Sequence, residues 1–592
     1  MSHYRALSLA LLSAIFAAAC TADRDGAPGD AAPEPESAPA DAAESAPAAA
    51  AQPAQSAGGG TAALVARAGA PLFEGMGDYH RTITTGDPGA QRYFDQGMVL
   101  AYGFNHAESI RSFRAAQRLD PQCAMCFWGE ALATGPHINV TAKGKAIMSA
   151  DDQVSAFAAI ERAQALAADA SDVERELIAA LAQRYSPEPV EDRDPLDRAY
   201  AAALGELHEK YPDDDDIAAM FAEAWMNTMP WNYWSDAVTP RPETVPVIEA
   251  LEAIIARNPR HPLALHLYIH AVEASSNAGR AEQAADTLIG LVPGSGHLVH
   301  MPAHIYWRVG RYNDAAEANV LAAAVDERYI AQCNAQGFYP ALYYPHNIHF
   351  LWAAASMEGR SAVAIEAARK VAANVRLEQI DQFPTVEFFH TIPLLSLVQF
   401  GRWDEVLAEP APRSDLGFSN AIWHYARGIA LANTADTAAA RAEQAALEPL
   451  KANDKVMFLD GNDYPASALI GIADALLQGE IAMAEGDFDT AVEHFTAAVA
   501  GQDTLPYTEP PFWYYPTRQS LGVALLRANR PADAEQVYRR DLEVYPHNGW
   551  STYGLVQSLE AQGKTEEAAM HREHFEATWA LADVELSASR VL

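Results

Sequence analysis

Along the body of the chain, polar and apolar positions do not alternate, and runs of β-branched residues are hard to find. Alanine, a strong helix former, is abundant instead. Half-buried strands need an apolar residue at every second position, so this pattern favours helices over strands. The sequence therefore predicts an all-α fold.

The first 70 residues differ from this body. An apolar run, Ala6 to Ala19, follows Arg5, is too short to span a membrane and ends in small residues. It predicts a signal peptide over residues 1–20. Residues 21–70 are rich in alanine and proline and contain almost no large apolar side chain. Such a segment cannot bury enough surface to offset its ordering entropy, so it is predicted to be a disordered tether.

Cys20 stands directly after the small residues of "FAAA". This placement resembles the lipobox of bacterial lipoproteins, in which the cysteine is acylated and becomes the mature N-terminus. Thr21 resembles the signal that sorts such proteins to the outer membrane. The resemblance implies a lipid anchor at Cys20 and a protein that faces the periplasm; plain signal-peptidase cleavage nearby is the alternative.

Internal repeats are expected because 592 residues are too many for one ordinary core. In "GEIAMAEGDFDTAVEHFTAAVA", Gly479, Ala491, Phe495 and Ala498 have the spacing of a tetratricopeptide repeat. Similar spacings recur elsewhere, with Gly522 before Tyr538 and Gly97 before Phe113. Both ends of the body thus resemble the tetratricopeptide-repeat (TPR) superfamily.

The resemblance implies antiparallel helix pairs stacked into a superhelix, an α-solenoid whose concave wall is lined by the first helix of each pair. We predict an N-terminal TPR-like array over residues 71–240, a central one over 241–450 and a C-terminal one over 451–592. The Pro- and Trp-rich stretch at 229–244 separates the first two. The chain as a whole resembles a poorly characterised family of exported bacterial TPR lipoproteins, to which no catalytic role is attached.

Histidines are concentrated in the central array. The segment "GHLVHMPAH", residues 296–304, places three of them on one helical face. The turn "GRYNDA" that follows matches the turn inside a repeat, which implies that this face lines the groove. The same count places histidines on the first helices of the neighbouring repeats, and the candidate ligands are His266, His270, His297, His300, His304, His346 and His349.

Several neutral imidazoles at one point, without a thiolate, suit copper, zinc or iron. The sequence therefore predicts a transition-metal site in the groove, although Pro302 should kink its helix. Candidate supporting or groove residues on the same helices are Glu273, Tyr268, Tyr306, Trp307 and Arg308. Two alternatives stay open: a metal-dependent oxidoreductase or hydrolase that uses this site, and a metal-free scaffold that binds a peptide or protein partner in the groove.

The remaining signals are weaker. There are 41 basic and 78 acidic side chains, a formal charge of −37 that argues against a nucleic-acid partner. Cys123 and Cys126 have the i, i+3 spacing of a possible disulfide, which an oxidising compartment would permit. Lone histidines such as His106 are predicted to be surface or turn residues.

Overall fold

The computed structural model describes residues 57–333 and 339–591, and Cys20 and the predicted signal peptide lie outside them. Helices account for nearly all the regular structure in those ranges. The helices before residue 240 are α1 (Ala57–Ala68), α2 (Pro88–Tyr102), α3 (His106–Leu119), α4 (Ala124–Thr134), α5 (Ala150–Leu166), α6 (Asp172–Ala182), α7 (Asp194–Lys210) and α8 (Asp215–Asn227). Two short antiparallel strands, β1 (Thr141–Ala142) and β2 (Lys145–Ala146), form a hairpin between α4 and α5.

The remaining helices continue the same pattern to the C-terminus. Those of residues 241–450 are α9 (Thr244–Arg257), α10 (Pro262–Val272), α11 (Glu282–Leu288), α12 (Gly296–His300), α13 (Pro302–Arg308), α14 (Tyr312–Cys333), α15 (Tyr344–Met357), α16 (Ser361–Asn374), α17 (Leu377–Gln382), α18 (Ile392–Gln399), α19 (Trp403–Ala408), α20 (Gly417–Asn433) and α21 (Thr437–Leu447). Those after residue 450 are α22 (Asp454–Asp460), α23 (Ala466–Glu485), α24 (Phe488–Asp503), α25 (Arg518–Arg527), α26 (Pro531–Val544), α27 (Gly549–Ala561) and α28 (Thr565–Thr578).

Helix pairs pack through a small residue on the first helix and an aromatic ring on the second. A Cβ atom at Gly479 would lie 2.4 Å from the ring of Phe495, and one at Gly522 would lie 2.2 Å from the ring of Tyr538. Gly97 and Phe113 make the same contact between α2 and α3. Only glycine lets the two helices approach this closely, so the repeat spacing in the sequence is a packing rule. The prediction of an all-α, TPR-type solenoid is confirmed.

Two turns of the central repeats contact the C-terminal repeats. Gly310 and Gly359 have left-handed φ angles of +78° and +68°, a conformation that glycine adopts without strain. A Cβ at Gly310 would meet the Pro546 carbonyl, and one at Gly359 would meet the Trp579 ring. The superhelix therefore curls so that its end packs against its middle.

The first helix lies entirely within the segment predicted to be a tether, residues 21–70. Ala68, at the end of α1, is fully buried, and its carbonyl accepts a hydrogen bond of 2.6 Å from Arg118 Nε. The predicted end of the tether at residue 70 therefore lies inside a folded segment. A helix that consists largely of alanine and glycine can still pack against a neighbouring repeat, although its side chains are small.

Helix α23 is 20 residues long and largely apolar. Among the described residues it is the one helix long and apolar enough to cross a membrane by length and composition, and 67% of its most apolar window is buried in the structure. Its buried residues pack against α24 and α20. We interpret α23 as a core helix of the solenoid.

Candidate metal centre

Helices α10, α12, α13 and α15 carry the central histidines. Pro302 begins α13, and Met301 before it keeps helical angles of φ −52° and ψ −37°. The break that Pro302 introduces is therefore slight, and the three histidines of "GHLVHMPAH" stay on one side of the α12–α13 unit.

Six histidines gather into two groups of three. The first triad consists of His266, His270 and His297, and the second triad consists of His300, His304 and His346. Within each triad the candidate ligand atoms lie within 4.8 Å of one another. The sequence prediction placed these side chains along an open groove, but His266 and His300 have 0% exposure and His304 has 3%. The groove is filled at this point, and the triads are enclosed.

Several of these imidazoles are oriented by oxygen atoms outside the triads. His266 Nδ1 lies 2.7 Å from the Tyr102 carbonyl, and His270 Nδ1 lies 2.9 Å from Glu273 Oε1. Carbonyl and carboxylate oxygens only accept hydrogen bonds, so each Nδ1 carries the proton. In a neutral ring this leaves the Nε2 lone pair facing the interior of the triad. This is the arrangement by which proteins hold histidine ligands for a metal.

The same holds in the second triad. His300 Nδ1 lies 2.7 Å from Asn319 Oδ1, and the orientation of that amide is set because Asn319 Nδ2 donates to the Ala315 carbonyl at 2.8 Å. His304 Nδ1 donates to Glu273 Oε2. Glu273 therefore receives one hydrogen bond from each triad and joins them.

With the Nδ1 protons of His300 and His304 committed, their Nε2 atoms lie 2.8 Å apart. In neutral rings these two lone pairs face each other and repel unless a cation lies between them. His346 Nε2 lies 3.1 Å from His300 Nε2, and in the first triad His266 Nε2 lies 3.1 Å from His297 Nε2. Three imidazole nitrogens within 4.8 Å of one another fit a metal ion in each triad.

Burial favours neutral rings among the triad histidines. Burial lowers the pKa values of the triad histidines His266, His270, His297, His300 and His346 below the ordinary value for histidine, and the neighbouring imidazoles lower most of them further. These rings are therefore neutral at physiological pH. Neutral imidazole is the form that binds transition metals.

Two buried carboxyl groups lie beside the triads. Burial raises the pKa of Glu273, but the adjacent His304 and His270 outweigh burial and lower it below the ordinary value. Burial and the charge of Glu273 raise the pKa of Glu509 well above its ordinary value, so Glu509 keeps its proton. Glu509 Oε2 lies 3.5 Å from His304 Nδ1, and Tyr507 donates to its other oxygen.

Sequence reasoning missed Glu509. Its segment, "TEPPFWYYPTRQ", is typical of an aromatic entry to a helix and has no spacing relation to the histidines. Arg308, by contrast, was predicted near the site and lies there: it donates to the carbonyls of Glu273 and Ser275 and stacks on the ring of Tyr507 at 5.3 Å.

Aromatic rings enclose both triads. The ring centre of Phe104 lies 4.7 Å from His266 and 5.0 Å from His297. The ring of Phe350 lies 5.2 Å from both His300 and His304. Phe104 has a left-handed φ of 55°, which is uncommon for a residue with a bulky side chain. These rings keep water from the triads, and neither was predicted from the sequence.

The other predicted site residues lie elsewhere. His349 is outside both triads and stacks on Trp352 at 5.3 Å, because the turn of α15 that brings His346 to the second triad directs His349 toward the next repeat. Tyr268 donates to Glu252, and Tyr306 donates to Asp286, on the side of the repeat away from the triads. Trp307 packs beside Phe350 at 5.9 Å and supports the site only through that ring.

The prediction that His106 is a surface or turn residue is wrong. Its ring stacks on His137 at 4.2 Å, and both lie against Phe104 on the side away from the first triad. Burial lowers the pKa of His106 to about 4 and the pKa of His137 well below its ordinary value. Nearby in the N-terminal array, Cys123 and Cys126 form a disulfide at the start of α4.

A surface cleft of about 880 Å³ lies outside the triads. It is lined by the acidic run 213–216, with Asp78, His80 and His261 nearby. Tyr102 donates to Asp216 in this cleft at 3.1 Å, and the carbonyl of the same tyrosine accepts from His266. Tyr102 thus contacts both the cleft and the first triad, but none of the six triad histidines lines the cleft.

Comparison with known proteins finds similarity to solved structures alone. No family model matches the chain, and no curated protein matches it. The APC/C hetero-tetramer Cut9–Hcn1 is 14% identical, covering 83% of this chain and 73% of its own, with a TM-score of 0.27. Yeast Tom70 is 12% identical (82% and 89% covered, TM-score 0.26), and the TPR domain of P58(IPK) is 10% identical (64% and 92% covered, TM-score 0.18). These matches assign no function to the chain.

Proposed function

We propose that this protein binds two transition-metal ions, one in each histidine triad. The observation that carries the proposal is the 2.8 Å approach of His300 Nε2 to His304 Nε2 while both Nδ1 atoms donate to other groups. A metal ion turns this repulsion into coordination. In the first triad, support comes from His270 Nε2, which is buried and has no hydrogen-bond partner among the described residues.

The experiment that tests this is elemental analysis of protein purified without a histidine tag. The apo protein is loaded separately with copper(I) under anaerobic conditions, zinc or iron(II), and excess metal is removed. We expect two ions per chain with at least one of these metals. Protein that stays metal-free after all three loadings contradicts the proposal.

Variants assign each ion to its triad. The double variant His300→Ala, His304→Ala is expected to lose the ion of the second triad, and His266→Ala with His270→Ala is expected to lose the ion of the first. His349→Ala is the matched control, since it removes a buried histidine of the same repeats that lies outside both triads. It should retain both ions, and circular dichroism checks that each variant is folded.

The alternative, a metal-free scaffold, draws support from a different place in the molecule. The cleft around residues 213–216 lies at the surface, whereas the enclosed triads leave no room for a peptide. Asp214 and Asp216 pair with Arg81, and Asp215 pairs with Arg257, so Asp213 is the carboxylate of this run that we expect to meet a basic segment. A basic peptide that binds the chelator-treated protein and is lost on Asp213→Asn would favour this function. Zinc or copper loading would leave such binding unchanged.

A further inference from the structure

The two triads lie against each other. The ring centres of His270 and His304, which belong to different triads, lie 5.7 Å apart, and those of His297 and His300 lie 5.8 Å apart. Metal ions that act together on one small molecule lie about 3.5–4 Å apart in proteins. Ions held by triads in such direct contact can share a substrate between them.

We infer that the two triads hold a pair of copper(I) ions that together bind dioxygen and reduce it by two electrons. This rests on the proposed function, because it requires both triads to be filled. It goes beyond that function by naming the metal, the reactant and the cooperation of the two ions.

The choice of copper follows from the charge of the ligands. Each triad offers three imidazoles and no thiolate, and Glu273, which could also join His270 and His304 around an ion, is the ionised carboxylate beside them. A buried pocket penalises uncompensated charge. Two copper(I) ions bring two positive charges, whereas two zinc or iron(II) ions bring four. Among divalent ions, copper(II), the state that the reaction forms, stands highest in the affinity order for nitrogen sites.

Dioxygen suits this buried site because the reaction leaves the net charge of the site unchanged. Each copper(I) ion loses one electron to become copper(II), and dioxygen gains both electrons to become a peroxide dianion that stays between the ions. The two added positive charges and the two negative charges cancel. The O–O bond is retained, no proton is consumed, and no further reductant is needed for this step.

The side chains around the triads suit an uncharged reactant. Phe104 packs against the first triad and Phe350 against the second, so the surroundings of the ligands are apolar. Dioxygen is small and uncharged and loses little on leaving water, whereas an ionic or phosphorylated substrate would lose its hydration. His346 is the most exposed of the six ligands and marks the side from which a small molecule enters.

The test uses the full protein loaded anaerobically with two equivalents of copper(I) and then exposed to dioxygen. We expect a new near-ultraviolet charge-transfer band together with little or no copper(II) signal in electron paramagnetic resonance, because the two unpaired spins couple through the bound oxygen. Absence of any spectral change with dioxygen overturns the inference. A full copper(II) signal equal to the total copper also overturns it, because the ions then act separately.

Failure of the proposed function looks different, since the protein would then take up neither copper, zinc nor iron(II). Protein that takes up zinc or iron(II) but no copper keeps the proposed function and overturns this inference. The variant His346→Asn should retain one copper ion, lose the band and show a full copper(II) signal for that ion. His297→Asn, which removes a ligand of the other triad, should behave alike and serves if the first variant does not fold. A variant with one copper ion that keeps the full band would contradict the pairing of the ions.

Discussion

Glu273 accepts a hydrogen bond from His270 of one triad and from His304 of the other. A single carboxylate thus orients ligands of both proposed metal ions from a helix end where it is 1% exposed. Because it accepts from the Nδ1 atoms of these ligands, its part is to position them.

Replacing Glu273 with glutamine should weaken binding at both triads. The amide has one acceptor oxygen in place of two and can orient only one of the two histidines, so we expect metal affinity to fall by roughly 10–100-fold. Competition with a chelator of known affinity measures it. Glu252→Gln is the control, because Glu252 accepts from Tyr268 away from the triads and should leave the affinity unchanged. Equal affinity for both variants would contradict the positioning role.

Copper should stabilise the fold by binding the native state only. At a free concentration one hundred times the dissociation constant, a single site adds about 2.7 kcal/mol to the free energy of unfolding. We expect a higher melting temperature with copper(I) under anaerobic conditions for the unaltered protein and for His349→Ala. The double variant His300→Ala, His304→Ala should show a smaller rise, and an equal rise would place the metal elsewhere.

Asp326 should make stability depend on pH. Burial raises its pKa from the ordinary 3.8 to about 7 in the folded chain, although Tyr339 and Asn347 donate to it and lower the pKa, while the charge of Glu327 raises it. Between these two values the folded chain binds more protons than the unfolded one. Stability contributed by protonated Asp326 is therefore present below pH 4 and is lost, by about 1.4 kcal/mol per pH unit, as the pH rises to 7.

The variant Asp326→Asn removes this titration. The difference in the free energy of unfolding in urea, Asp326→Asn minus the unaltered apo protein, should increase between pH 5 and pH 8. The variant thus becomes relatively more stable as the pH rises. Asp489→Asn, at an exposed position of α24, is the control and should follow the unaltered protein. Parallel curves for Asp326→Asn and the unaltered protein would show that Asp326 does not titrate in this range.

Two glycines of helix α23 should respond oppositely to alanine. At Gly479 the new Cβ would lie 2.4 Å from the Phe495 ring, so we expect a loss of about 1–3 kcal/mol from overpacking. At Gly471 the new Cβ would meet nothing within 4 Å, and the better helix propensity of alanine should add about 0.5–1 kcal/mol. Thermal or urea unfolding compares them, and a destabilising Gly471→Ala would contradict the assignment of that face to solvent.

Much of the fold is readable from the sequence because its determinants are local. A glycine sixteen residues before an aromatic, as at Gly479 and Phe495, is a contact between two adjacent helices, and such contacts need no information from distant parts of the chain. The same holds for the histidines of α10, α12, α13 and α15, which adjacent repeats bring to one side. Helical spacing also listed His349 and Tyr306 on these helices, but it could not say which neighbours they would meet.

The sequence by itself determined the class of fold and a set of seven histidines that includes the six of the triads, since both follow from periodicity within and between neighbouring repeats. Only the tertiary structure left out His349, divided the other six into two triads, enclosed them with Phe104 and Phe350, and brought Glu509 to His304. These contacts join distant segments: Tyr102 and His266, for example, are 164 residues apart. Their geometry depends on how far the solenoid curls, which is the sum of many small rotations between repeats and is encoded in no single motif.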